Sequence, residues 1–310
     1  MAVPSDIEVA RTIEYGLGVD YQLNERPGKL RPLVGSSKAY TDKAAQIEDQ
    51  FDDLVAQEKD ERNGDTVNTD LSLVRRWIHK PKTQNVAPLL DRDDAMTTKV
   101  DLHSPAVVQT AKAIRRAQDD RWLEGYYGTA YTGETGTTAV PFKAANILAV
   151  DADEAAPRGI TLNKLIAMQE MITEALNDED EMPIGIITAK QVSDLLKLNQ
   201  VQSKDYNPDL PGALKTGKVG TFMGFRWINT QLGNARVYPR GASLTVDGSG
   251  YRRVPFLLPS GMHWGSWCDF FGKISDRGDK NHSQQIYGET CGKSTRVNED
   301  KCFQMLCLES

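Results

Sequence analysis

SPAVVQTAKAIRRAQDDRWLEGYYG, residues 104–128, reads as one long helix around which the rest of the chain is organised. Val107, Ala111 and Ile114 recur at helical spacing, and Val108 and Trp122 widen the apolar stripe. Ser104 is placed to accept from first-turn amides, and Pro105 stands where its missing N–H costs nothing. Gly125 offers a left-handed stop. A helix over 104–125 is roughly 30 Å long at about 1.5 Å per residue. Its other face carries Lys112, Arg115, Arg116, Asp119, Asp120 and Arg121. The expectation is a beam, apolar on one side and charged on the other.

Upstream lies an acidic lead-in, DRDDAMTTKVD, residues 91–101. Asp91, Asp93 and Asp94 suit turn capping before the helix, the reading preferred over a magnesium site. Downstream comes GTAYTGETGTTAVPF, residues 128–142, with the glycine spacing of a phosphate-binding loop. Glu134 stands where such a loop needs lysine, and the stretch follows a helix rather than a strand. It is not read as a nucleotide site.

Taken in order, three stretches resemble the major capsid proteins of tailed phages. These are Asp91/Asp93/Asp94/Asp101/Ser104, Arg116/Asp119/Asp120 in an R-x-x-D-D helix, and Ala130/Thr132/Gly133/Gly136 in an A-x-T-G-x-x-G loop. The resemblance implies an α+β Hong Kong 97-type capsid fold with 104–125 as its long spine helix. It also implies an N-terminal arm (1–58), an extended β-hairpin loop (59–98), a peripheral domain (99–159 and 273–300) and an axial domain (160–272 and 301–310).

The segments before the spine fit that frame. Lys29, Leu30, Arg31, Pro32 and Val34 match an arm segment that, in the family, lies along a neighbouring subunit; a disordered tail is the alternative. From Thr41 the spacing of Ile47, Phe51, Leu54 and Val55 opposite Glu48, Asp49, Asp52 and Asp53 predicts an amphipathic helix. So narrow a stripe must dock, on its own domain or on the next subunit. An Asn-Gly-Asp turn at 63–65 precedes alternation through Val67, Thr69, Leu71 and Leu73, then Arg75, Arg76, Trp77 and His79. An isolated hairpin has too little core to stand in water, so it needs a partner surface. The resemblance makes Lys29, Leu30, Arg31, Phe51, Arg75, Arg76, Trp77 and His79 inter-subunit contacts. RRWIHKPK, residues 75–82, also has the cations and aromatic of a nucleic-acid patch, but the acidic flank at 91–94 opposes that reading.

Beyond the spine, a helix is expected from Thr161, with Leu162, Leu165, Ile166, Met168, Gln169 and Ile172 on its apolar side. A strand at 184–188, a helix at 189–198, and strands at 221–229 and 254–258 complete one α+β unit. Near the C-terminus, strands at 270–274 and 284–290 flank a turn at 277–281, and a closing strand lies within 297–308. Asp276, Arg277, Asp279, Lys280, Gln285, Tyr287, Gly292, Thr295, Arg296 and Lys301 match the family's closing series. Gly278 is an insertion relative to that series.

Composition narrows the class further. The chain has 310 residues, 39% of them hydrophobic, and a net charge of −6, which disfavours a nucleic-acid coat built on a basic surface. No stretch approaches the ~20 apolar residues of a membrane span, and the N-terminus lacks the pattern of a signal peptide. Cys268, Cys291, Cys302 and Cys307 have no metal-site spacing; reduced, half-buried strand cysteines are expected. His79, His103, His263 and His282 are scattered, and no Gly-x-Ser-x-Gly, His-Glu-x-x-His or Gly-x-Gly-x-x-Gly occurs.

No catalytic, cofactor or metal residue is therefore assigned. The function implied by the resemblance is structural: self-assembly into hexamers and pentamers of an icosahedral head enclosing double-stranded DNA. Partners would be further copies of the chain, scaffolding and portal proteins, a cement or decoration protein, and DNA contacted non-specifically, with no membrane. The location would be the virion, after assembly in a bacterial cytoplasm. An encapsulin-like compartment shell and a metal-dependent hydrolase or nucleic-acid enzyme using the 91–94 aspartates are the alternatives. Deleting 60–84 is expected to leave soluble subunits that form no shells.

Overall fold

The computed structural model describes residues 29–37, 40–42, 44–51, 73–91, 103–175, 181–198, 219–230 and 246–309. Helix α1, His103–Tyr127, is 25 residues long and is the spine. Both expected ends move outward: the helix already includes His103, so Ser104 is not its cap, and it runs through Gly125. Pro105 is tolerated because it lies in the first turn, where no intrahelical bond is lost. Gly125 serves packing rather than termination, since a Cβ there would sit 2.1 Å from Ser294 O.

That contact is with the sheet beneath the helix. It contains β1 (Gly35–Ser37), β4 (Gln84–Val86), β5 (Leu89–Leu90), β13 (Met262–Arg277) and β14 (Ser283–Arg296), in the order β1-β13-β14-β4 with β5 also on β14. From Gly288 to Ser294 the β14 face under α1 is built of small or polar residues, and before them Ile286 packs with Ala111 of the helix. Gln118 Nε2 donates to Thr290 Oγ1 at 3.2 Å, and Ser294 Oγ donates to Trp122 O at 2.6 Å. A Cβ on Gly288 would reach Thr110 and Ile114. Glycine in a strand often marks such close approach of another element.

Both C-terminal strands are longer than expected, and the division at 272/273 falls inside β13. The turn between them is a 3-10 segment, Gly278–Lys280, followed by Asn281 and His282 at φ +50 and +56. Arg277 braces it with a bidentate pair to Asp279, both contacts 2.7 Å. The inserted Gly278 thus opens a defined turn.

A second sheet has the order β10-β11-β9-β12-β15-β8. Its strands are β8 (Ile147–Leu148), β9 (Ile184–Ile187), β10 (Thr221–Phe222), β11 (Phe225–Asn229), β12 (Tyr251–Leu257) and β15 (Cys302–Leu308). The expected strand at 221–229 is a tight hairpin turning at Met223 and Gly224, both at positive φ. Helices α2 (Leu162–Glu174) and α3 (Ala189–Lys197) belong to this lobe. Leu165, Met168, Phe225, Phe256, Phe303 and Met305 share its core. Ile166, expected on the buried side, is 50% exposed, so α2 buries a narrower stripe. Within β15, Cys302 and Cys307 enter different cores, as strand alternation requires.

The third sheet, β2-β3-β6-β7, corrects the N-terminal reading. Its strands are β2 (Ala44–Phe51), β3 (Leu73–His79), β6 (Ala130–Thr132) and β7 (Thr138–Val140). Residues 44–51 are strand, not the amphipathic helix expected from Thr41. The step from Ile47 to Phe51 is even, so it fits a two-residue period as well as a helical one. Pairing with β3 decides between them. The hairpin is accordingly β2 and β3, and 80–91 is not a return strand but a strap alongside β14. Leu54, Val55 and the 63–65 turn lie outside the described residues, as do Asp93, Asp94 and Asp101.

Candidate assembly surface

Several groups pin the root of the hairpin. Trp77 Nε1 donates to Gly133 O at 2.7 Å, and Thr132 Oγ1 donates to Arg75 O at 2.8 Å. Gly136 lies at φ +69 with the Trp77 ring so close that a Cβ would be 2.6 Å from its Cγ. His79 has a ring nitrogen 3.2 Å from Gly136 O and meets the edge of Tyr131 at 4.5 Å. The A-x-T-G-x-x-G stretch is therefore the β6–β7 turn. Its glycines supply the left-handed backbone, and Gly136 also admits the indole. An open groove of about 370 Å³, lined by Val74, Arg75, Thr132, Gly133 and Glu134, runs beside it.

Arg76 turns inward. It is 9% exposed and 3.7 Å from Glu299, too long for a hydrogen bond. Burial pulls its pKa below the usual arginine value, while the Glu299 charge works the other way.

A second constellation ties residues 29–34 to the spine. The amides of Lys29 and Leu30 donate to the Asp119 carboxylate at 3.2 and 3.1 Å, and Lys29 Nζ donates to Asn229 O at 2.8 Å. Leu30 is fully buried beside Trp122, Trp264 and Tyr126. Arg31 pairs with Asp269 at 2.7 Å and lies over the Trp264 ring at 5.7 Å. Burial raises the Asp119 pKa to about 6, although the two amide bonds oppose the shift. Asp119, Asp120 and Arg121, expected on the charged face of the beam, are all nearly inaccessible. Residues 118–123 of α1 are buried on every side of the helix, whereas Arg116 stays exposed.

Arg296 joins the parts. Its guanidinium is fully buried and donates to the carbonyls of Tyr126, Gly128 at 2.6 Å and Val140 at 3.2 Å, and to Glu299 at 2.7 Å. It also packs over Phe142 at 5.1 Å. One side chain thus serves the end of the spine, the β7 strand and the turn before β15. Tyr126 Oη reaches across to Phe256 O and Phe303 O at 2.8 and 2.5 Å, linking spine and second sheet.

Set against the expected contact residues, Leu30 and Arg76 are enclosed by their own chain, and Lys29, Arg31, Trp77 and His79 have intrachain partners. Arg75 lines the open groove, and the Phe51 side chain lies outside the described residues. Sequence reasoning missed Glu299 and Tyr126 and gave Asp119 and Arg296 no structural role. The R-x-x-D-D motif did flag Asp119, and the closing series flagged Arg296, but neither told what they bind. Among the described residues no group of His, Cys, Asp or Glu could hold a metal, and no helix is long and apolar enough to cross a membrane.

The sequence matches the family model described as "Phage capsid protein" over residues 8–309. No curated protein matches it. Among solved structures, the capsid of cyanophage P-SCSP1u is 13% identical, with a TM-score of 0.64, covering 90% of this chain and 87% of that one. The capsid subunit of cyanophage Pam1 is 11% identical, with a TM-score of 0.64 and coverages of 91% and 92%. A virus-like particle from Pyrococcus furiosus is 10% identical, with a TM-score of 0.53 and coverages of 96% and 99%.

Proposed function

This chain belongs to the phage capsid protein family, a structural major capsid protein of Hong Kong 97-type fold rather than an enzyme, and from that premise we propose how it assembles. The observation that carries the proposal is the hairpin root. The β2–β3 pair leaves the body at a braced sheet, with residues 52–72 between its strands and the adjoining groove left open. The segment beyond the root extends over an adjacent subunit, and residues before Lys29 follow a neighbour as an arm. Both gain their partner surface only in the shell, so folding of these segments and assembly are coupled. Heterologous contacts of this kind close into rings, giving the hexamers and pentamers of an icosahedral head.

In this reading the lobe of α2 and α3 is the axial domain, and the spine with its underlying sheet is the peripheral domain. The interior holds double-stranded DNA without gripping it, in keeping with the net charge of −6. Scaffolding, portal and cement or decoration proteins are the remaining partners, and assembly takes place in the bacterial cytoplasm before the chain resides in the virion head. The encapsulin-like alternative is disfavoured by the phage family match across residues 8–309.

The test is electron microscopy with sedimentation on the wild-type chain and on one lacking 54–70. The deletion of 60–84 is unsuitable, because it removes β3 and with it the buried Ile78. Closed shells from wild type and none from the 54–70 deletion are expected. Normal shells from the deletion would overturn the hairpin's role, and wild type that forms no capsomer even with a scaffold would overturn assembly itself.

A further inference from the structure

Cys268 on β13 and Cys291 on β14 are register partners in the sheet beneath the spine, and we propose that they form a redox-active dithiol that closes to an intrachain disulfide. The inference does not depend on how the shell assembles. Directly opposed residues of an antiparallel pair project to the same side with Cβ atoms about 4.5–5.5 Å apart, against about 3.5–4.5 Å in a disulfide. Closing the remaining gap falls to the backbone, which is adaptable there. The ladder shifts register on both sides of Cys268, between Ser266 and Cys268 and again between Cys268 and Phe271. Such bulges bend a strand locally and loosen its pairing.

Both thiols face the strap that precedes β4. Cys291 Sγ donates to Pro81 O at 3.6 Å, and the Lys80 charge acts on Cys268. The helix-facing side is different: Thr290, next to Cys291, bonds to Gln118 of the spine. The pair therefore sits on the sheet face away from α1. Access is unequal in a useful way, with Cys268 partly exposed and Cys291 buried. The other two thiols cannot compete, since Cys302 and Cys307 are buried in separate cores.

The oxidant is a small disulfide. The Cys268 thiolate attacks one of its sulfurs, making a mixed disulfide and releasing one thiolate. Cys291 then gives up its proton and attacks Cys268 Sγ, expelling the second thiolate. Two protein thiols are oxidised, one external disulfide is reduced to two thiols, and the cysteine protons end on those products. Burial, with the nearby Glu289 and Asp269 charges, raises the Cys268 pKa. The attack consequently quickens about tenfold for each pH unit near neutrality, because only the thiolate reacts.

The experiment incubates the folded wild-type chain with oxidised glutathione at mildly alkaline pH. Thiol titration, intact mass and a non-reducing peptide map are then read. Loss of two of the four thiols, a mass lower by two hydrogens and a Cys268–Cys291 cross-linked peptide are expected. The Cys291→Ala chain should instead retain one glutathione on Cys268. An unchanged thiol count, glutathione persisting on Cys268 of the wild type, or a link from Cys268 to any other cysteine would overturn the proposal.

Discussion

Gly125 and Ser294 touch: the α-carbon of the helix residue leaves room for nothing between itself and the strand's carbonyl oxygen, where a Cβ would come within 2.1 Å. This contact sets how closely α1 lies on β14, and Ser294 Oγ bonds Trp122 O in the same place. Gly125→Ala should therefore destabilise the chain by about 3 kcal/mol, through overpacking against backbone. Helix propensity alone has the opposite sign, favouring alanine by about 1 kcal/mol. Urea unfolding distinguishes them, and a variant more stable than wild type would contradict the packing account.

Asp119 gives a pH signature. Its carboxyl is held near 6 by burial, against 3.8 for the ordinary group. Between those values the folded chain holds a proton that the unfolded chain has lost. Stability contributed by this group is thus full below the lower value and falls as pH rises through about 6. The change across the window is about 3 kcal/mol. Asp119→Asn keeps an acceptor for the Lys29 or Leu30 amide but cannot titrate. The difference in thermal midpoint between the two chains should shift in the variant's favour from pH 4 to pH 7. A difference independent of pH would count against the burial account.

The sequence showed the spine, the α2–α3 lobe and the closing strands because their periodicity extends over many residues or is punctuated by turn residues. It misplaced the hairpin, because the apolar residues at Ile47 and Phe51 satisfy two periods and only the β3 partner resolves them. It also put Asp119, Asp120 and Arg121 on a charged face of the spine without showing that this face is buried. Charge in a helix reads as exposure, and only tertiary packing shows that these side chains are enclosed. Of the residues expected to contact a neighbour, Leu30 and Arg76 are enclosed by their own chain. Composition cannot tell a side chain that anchors a projection from one that reaches a neighbour.

Arg296 is the next case. It is fully buried and serves three carbonyls and Glu299 through a planar fork. A lysine keeps the charge but presents a single ammonium, which cannot reach Tyr126, Gly128 and Val140 together. Arg296→Lys should cost about 3 kcal/mol, the scale for breaking a buried charge network. Equilibrium unfolding would show it, and a loss under about 0.5 kcal/mol would mean that water or Arg76 takes over the carbonyls.

The hairpin root offers a way to separate folding from assembly. Trp77 is attached by its Nε1 bond to Gly133 and by its ring against Gly136. Trp77→Phe removes the bond and keeps most of the packing, a loss of about 1 kcal/mol. Gly136→Ala does more. It demands a left-handed backbone of alanine at φ +69 and drives a methyl into the indole, so the ring must leave its seat. The two main cores contain neither residue, so both variants should remain folded by circular dichroism. Assembly should separate them: Trp77→Phe forms shells more slowly, whereas Gly136→Ala gives subunits or irregular aggregates, because its hairpin leaves the body at the wrong angle. Light scattering follows the rate and electron microscopy the product. Regular shells from Gly136→Ala at the wild-type rate would show that the angle of the hairpin is set elsewhere.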